Sequence, residues 1–378
     1  MRKPGYTGSF WPSEHQELLL KAALLEPEDA IPAWRAARAT LDLDRLEPGS
    51  YSLMPLVYRS LQAAEVDDPL LPRLKGIHRH TWSKNQLVHE DAAVAREALG
   101  NAGVAALAVG GLSRLTFYPK LGLRTMAEFE LLCRPDDVDR ALRALGSRES
   151  VPSRVLRGRS TVRVESAGGR SFALHWRLLP EFPLPGADDD EDAAFWAAAE
   201  QRAAGRDLQT RMLAPADELL HVCASGARTA LWANVQWVAD AAVILRSGDI
   251  DWDRFLRVAA ERRAAPRLRE ALTYIGEVLA VAVPSEVVAG LERFPATRRD
   301  RLALQVGGAG GRLLGEFPRT LARYIRSSDG RSPLGSILGL PHYLRDVWNV
   351  DRGWTLPGVV ARKGAATIAR RGGRGRRR

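Results

Sequence analysis

Between residues 101 and 180 the helical spacing of apolar residues gives way to short apolar and alternating runs. The run 104–109, VAALAV, has the length of a buried strand. Gly110-Gly111-Leu112-Ser113 follows as a turn, and 114–118 returns to helical register. Residues 119–122, PKLG, turn the chain, and 128–133, EFELLC, read as a second strand. Pro135 then opens a helix over 136–145, with acids in its first turn and Arg140 and Arg143 further on. Residues 161–165 and 171–176 alternate in polarity on either side of the turn 166–170, the pattern of a hairpin. Its buried face is predicted to carry Val162, Val164, Phe172, Leu174 and Trp176, and its other face Arg163, Glu165, Ala173 and His175. Strand, Gly-rich turn, helix, strand, helix is an α/β or α+β unit.

Helical patterns flank this unit. Ser13-Glu14-His15-Gln16 is a capping box that opens a helix over 13–25. Helical spacing continues through 31–41, 54–63 and 70–99, with Pro32 placed in a first turn and Asn101 and Gly103 at the end. Residues 178–192 form a Pro-containing loop whose acid run, 188–192, is read as solvated or as the start of the next helix. From Pro215 to about 291 the chain is helical again, anchored by Trp232, Trp237, Trp252 and Phe255. The stretch 307–315 is Gly-rich and helix-poor. The expected fold class is therefore α+β: a small mixed sheet flanked by helical N- and C-terminal regions. The expected division is 1–100 helical, 101–180 the α/β core, 181–300 helical, 301–361 an irregular or helical extension, and 362–378 a disordered basic tail.

At 378 residues the chain can build two or three compact units. No apolar run approaches the ~18 residues of a membrane span, the first residues carry no apolar signal core, and a cytoplasmic location is expected. Cys133 and Cys223 cannot make a disulfide framework and do not stand in a metal-like spacing. The tail 362–378 holds eight Arg and Lys and no acid, and removing it from the formal +10 leaves the other 361 residues at +2. Contact with nucleic acid is thus expected only weakly, through that tail.

The residues able to carry chemistry lie in the α/β unit. A Gly pair after a strand lets backbone N–H groups approach a phosphate, and the Ser113 hydroxyl can add a bond. Glu128 and Glu130, two apart on a strand, point to one face. Such a pair can hold Mg²⁺ (or Mn²⁺) beside a triphosphate, where metals stabilise in-line displacement at phosphorus. Each piece also fits a plain turn or a solvated strand face. His221 is read as a structural residue contacting Asp240, Trp176, Trp237 and Trp252 as core, and Asp251 and Asp253 as helix capping residues. There is no Walker A loop, G-x-S-x-G, HExxH or EF-hand pattern.

Taken in order, several segments resemble the uncharacterised bacterial nucleotidyltransferase family of the DNA-polymerase-β-like superfamily. They are ELLLKAALL at 17–25, Val109-Gly110-Gly111-Leu112, Tyr118-Pro119, GLRTM at 122–126, EFELL at 128–132, LHWRL at 174–178, LAPADELLH at 213–221, WVAD at 237–240 and DWD at 251–253. The resemblance covers roughly 15–265. It implies Mg²⁺-dependent transfer of a nucleoside monophosphate from a nucleoside triphosphate to an acceptor that the sequence does not name, with release of pyrophosphate. Carried over residue by residue, Gly110, Gly111 and Ser113 would cradle phosphates and Arg124 would touch them. Glu128 and Glu130 would hold metal, and His175, with Trp176, would match the family's His-Trp. Three departures stand out. Val109 replaces a family Lys, Glu replaces Asp at both metal positions, and Ala173 replaces the third carboxylate. Glu165 across the hairpin is the available substitute, with Arg163 as its neutralising neighbour. A second reading follows from these departures: a catalytically degenerate nucleotidyltransferase fold that serves as a binding or scaffold protein.

Overall fold

The computed structural model of the chain describes residues 11–147, 151, 159–166, 168–184, 191–204, 208–226, 235–309, 317–328, 333–348 and 350. The basic tail, Trp232 and Asp188 to Asp190 lie outside these residues. Among them the fold is α+β, with one six-stranded mixed sheet set among helices.

Four helices precede the sheet: Glu14–Leu24, Pro27–Arg38, Pro48–Ala63 and Leu71–Asn101. The capping box forms as expected, with the Gln16 amide donating to Ser13 Oγ and the Ser13 amide donating to Gln16 Oε1. The second helix corrects the reading of Pro32. Pro27 takes the first turn, and Pro32 lies inside the helix. The fourth helix ends at Asn101, and Gly103 adopts φ +67°, a left-handed conformation that a glycine takes without steric penalty.

The strands are β1 Ala106–Val109, β2 Glu130–Cys133, β3 Thr161–Glu165, β4 Ser171–His175, β5 Glu200–Ala204 and β6 Leu208–Met212. Their spatial order is β3-β4-β2-β1-β6-β5. β1 runs antiparallel to β2 and parallel to β6, and β2 runs parallel to β4. β3–β4 and β5–β6 are antiparallel pairs. The expected hairpin faces are observed, since Val162, Val164, Phe172, Leu174 and Trp176 are buried and Phe172 stacks on Phe129 at 4.3 Å. The sheet also takes in β5 and β6, which lie beyond residue 180 in a stretch that showed no strand pattern. Glu128 falls in a bend before β2, so the second strand begins two residues later than its sequence suggests.

One continuous apolar core runs from Trp11 to Leu291 and joins the sheet to both helical regions. Trp11 packs on Tyr274 and Trp237 with ring centroids 4.9 and 6.1 Å away, tying the two ends together. Trp252 is only partly buried and meets Phe255 edge-on. Asp251 caps its helix as expected, accepting a bond from the Arg254 amide. A helix, Arg298–Ala309, runs into the Gly-rich stretch, of which 310–315 lies outside the described residues. The acid run leads into the next helix, with Asp192 as the N-cap of Ala193–Ala198, but Glu191 and Asp192 are buried against Arg177 and Arg262 rather than solvated. No helix among the described residues is long and apolar enough to cross a membrane.

Candidate active site

The site forms where β1 ends and β2 begins. Val109 pairs with Glu130, and Gly110 follows at φ +64° as the residue before the short helix Gly111–Arg114. Gly110 is required here for two reasons. Its φ strains any residue with a Cβ, and a Cβ would lie 2.2 Å from Glu130 Oε1. The Glu130 carboxylate therefore rests on the backbone of the turn.

His175 arrives from β4. Its Nε2 lies 3.1 Å from Glu130 Oε2, and its ring is buried. Burial works against a charge on Glu130, but the His175 bond and the nearby charges of Arg114 and His221 hold its carboxyl well below the usual carboxylate range. These contacts favour the ionised form of Glu130.

Register explains the next contact. Arg163 on β3 is opposite Ala173 on β4, which is opposite Glu130 on β2. The small Ala173 side chain leaves Arg163 free to reach across it to Glu128, with contacts of 2.8 Å to Oε2 and 2.9 Å to Oε1. Arg163 therefore faces Glu128, not Glu165, which is exposed on the last rung of the hairpin before its turn. Burial and the charge of Glu130 raise the Glu128 pKa, while Arg163 offsets part of that rise.

Two of the expected phosphate ligands are engaged elsewhere. Ser113 is fully buried, and its hydroxyl donates to Glu218 Oε2 at 2.6 Å. Arg124 is also buried and forms a two-pronged pair with Asp240, Nε to Oδ1 at 2.8 Å and Nη2 to Oδ2 at 2.9 Å. Burial opposes the Arg124 charge, and Asp240 more than compensates, raising its pKa above the ordinary value. Tyr118 donates its hydroxyl to the same Asp240 Oδ1. Arg114 joins both acids, 2.9 Å from Glu218 and 3.8 Å from Asp240, and lies 3.2 Å from His221 Nδ1. His221 sits against Arg114 and Glu218.

This buried network locks the floor of the site to the helices Pro215–Ser225 and Gln236–Arg246. Glu218 and Asp240 stand in the LAPADELLH and WVAD segments, but the sequence assigns Glu218 no role and Asp240 only a contact with His221, because their arginine partners are more than a hundred residues away. Burial raises the Glu218 pKa, yet His221, Arg114 and Ser113 outweigh it and hold the group at about 2. That depressed pKa, below the unfolded value of ~4.3, contributes stability above pH ~4.3 that is lost as pH falls toward 2. Glu218→Gln is expected to flatten the acid side of the stability profile in that window, read by urea unfolding at stepped pH. An unchanged slope would show that this carboxylate carries none of the acid sensitivity.

The chain matches the uncharacterised nucleotidyltransferase family over residues 50–280, more than half its length. The chain belongs to that family. Neither the curated proteins nor the solved structures contain a match to it. Membership places the protein, at the level of reaction class, among nucleotidyl-transfer proteins and implies a nucleotide substrate. The match spans all of the site described above.

A nucleotidyltransferase of this kind is expected to hold Mg²⁺ on its carboxylate pair, and the residues present do not fit that ion. Both oxygens of Glu128 face the Arg163 guanidinium, one oxygen of Glu130 faces His175, and Ala173 supplies none. Among the described residues no group of three or more His, Cys, Asp or Glu side chains is arranged to hold a metal. Cys133 and Cys223 are buried, and burial pushes both thiols up to about 12, which removes them from thiolate chemistry.

Proposed function

We propose that this nucleotidyltransferase transfers a nucleoside monophosphate from a nucleoside triphosphate to an acceptor hydroxyl, with the triphosphate lying over the Gly110–Gly111 turn. The observation that carries this reading is the convergence of Gly110, Glu130 and His175 at one end of β1 and β2. Neither Gly110 nor Gly111 adds a side chain of its own to the turn, and the Glu130 carboxylate lies against it. Arg114 and Arg163 bring permanent positive charge to the same end of the sheet.

In the proposed step the acceptor oxygen bonds to the α-phosphorus, and the bond to pyrophosphate breaks. The acceptor's proton needs a base. Glu130 lies 3.1 Å from His175 Nε2, and in this reading it accepts the Nε2–H and leaves Nδ1 for the acceptor's proton. His175 is therefore assigned the proton, with Glu130 holding its tautomer. In this reading Ser113 and Arg124 shape the turn from below, through Glu218 and Asp240, and do not touch phosphate.

The experiment follows the label. With α-phosphate-labelled triphosphate, label should enter an acceptor fraction, and with γ-labelled triphosphate it should leave as pyrophosphate. His175→Gln should slow the transfer on the order of 10²-fold or more, the usual effect of a proton-transfer group. Incorporation of the γ-label would instead identify a phosphotransferase and reject the proposal. Ala173 supports the second reading, a binding protein without turnover, because it removes the third carboxylate. That reading predicts nucleotide binding with no label transferred.

A further inference from the structure

The charge at the carboxylate pair has an unusual source. Arg163 is two-thirds exposed at 68%, stands on the edge strand β3, and directs its guanidinium at both oxygens of Glu128. It can do so because residue 173, in register between Arg163 and Glu130, is alanine. A carboxylate at 173 would meet Arg163 first. The two features therefore belong together: one acid is absent, and a resident cation reaches through the space it leaves. Glu130 is likewise bonded to His175 and lies against the turn. The usual problem of such a site is the repulsion between two carboxylates and a triphosphate. Here the two-thirds exposed Arg163 guanidinium stands beside Glu128, with Ser171 Oγ 3.5 Å from its Nη1. Guanidinium binds phosphate and carboxylate through the same planar fork of N–H donors.

We infer that Arg163 takes the electrostatic place of a divalent cation, so that this chain binds a nucleoside triphosphate without one. The inference rests on the proposed function, since it presupposes that the triphosphate lies over the Gly110 turn. It further implies that Ala173 and Arg163 act as a pair. Restoring an acid at 173 should pull Arg163 away from Glu128 and weaken metal-free binding.

Titration calorimetry of the full chain with ATP, CTP, GTP and UTP tests this, each in chelator and each with Mg²⁺. The affinity for the preferred triphosphate is expected to agree between the two conditions within a factor of about three. Arg163→Ala should lose about tenfold or more of the metal-free affinity, while Arg163→Lys keeps part of it. Mg²⁺ should then restore binding in Arg163→Ala, because Glu128 becomes an available ligand. Circular dichroism of the variants checks folding, which this exposed position should not disturb. Wild-type binding that vanishes in chelator and returns with Mg²⁺ would overturn the inference and leave the proposed function standing. Metal-free binding unchanged in Arg163→Ala would also overturn it. Absence of binding for all four triphosphates in both conditions would remove the proposed function itself, and this inference with it.

Discussion

Asp240→Ala is expected to destabilise the fold by about 3–5 kcal/mol and to lower the melting temperature by roughly 10 °C. Asp240 is 1% exposed and accepts from Arg124, from Tyr118 and, at longer range, from Arg114. Its removal strands a buried guanidinium and a buried phenol together. The loss comes from leaving those partners unpaired, not from the intrinsic worth of an ion pair. Arg124→Met in the Asp240→Ala background should therefore recover part of the stability. Denaturant unfolding of the two single variants and the double variant measures this directly. A loss under about 1 kcal/mol for Asp240→Ala would mean that water reaches Arg124, and that the network does not hold the site floor.

Gly110→Ala should abolish function while leaving the protein folded. The added Cβ would overlap Glu130 Oε1 at 2.2 Å and Cδ at 2.5 Å, so the carboxylate must move by about an ångström or more. Misplacement of that size costs on the order of 10²-fold in rate. At φ +64° and ψ −131°, a conformation essentially confined to glycine, a Cβ adds about 1–3 kcal/mol to the folding balance. Glu130 lies 3.1 Å from His175, so both members of the pair are disturbed at once. The measurement is label transfer alongside thermal unfolding of the same preparation. Near-wild-type transfer in Gly110→Ala would show that the position of the Glu130 carboxylate does not matter.

Local pattern carried much of the fold into view. The β3–β4 hairpin declares itself because its residues alternate with period two, and both predicted faces are present. The first helix declares itself through Ser13 and Gln16. β5 and β6 escaped notice because their 200–204 and 208–212 segments, EQRAA and LQTRM, are polar and have almost no β-branched residues. They are strands because they pair with each other, and β6 joins the sheet beside β1 at Ala108 and Met212. At the site, the sequence singles out Gly110, Glu128, Glu130 and His175, and the structure sets Glu130 against both Gly110 and His175. What they face was not legible in the sequence. Arg163 finds Glu128 through a parallel pairing of β2 with β4, a crossover that no local pattern encodes. Ser113 and Arg124 looked like phosphate ligands because their partners, Glu218 and Asp240, come from distant helices.

The central claim is that a nucleoside triphosphate binds over the Gly110 turn beside the Glu130–His175 pair. Thermal unfolding of the full chain with each of ATP, CTP, GTP and UTP tests it most directly, with Gly110→Ala as the comparison. A triphosphate at about a hundred times its dissociation constant should add about 2.7 kcal/mol to the wild type. The predicted result is a rise in melting temperature for at least one nucleotide, lost in Gly110→Ala. A wild type indifferent to all four, or a shift that survives intact in Gly110→Ala, would contradict the account.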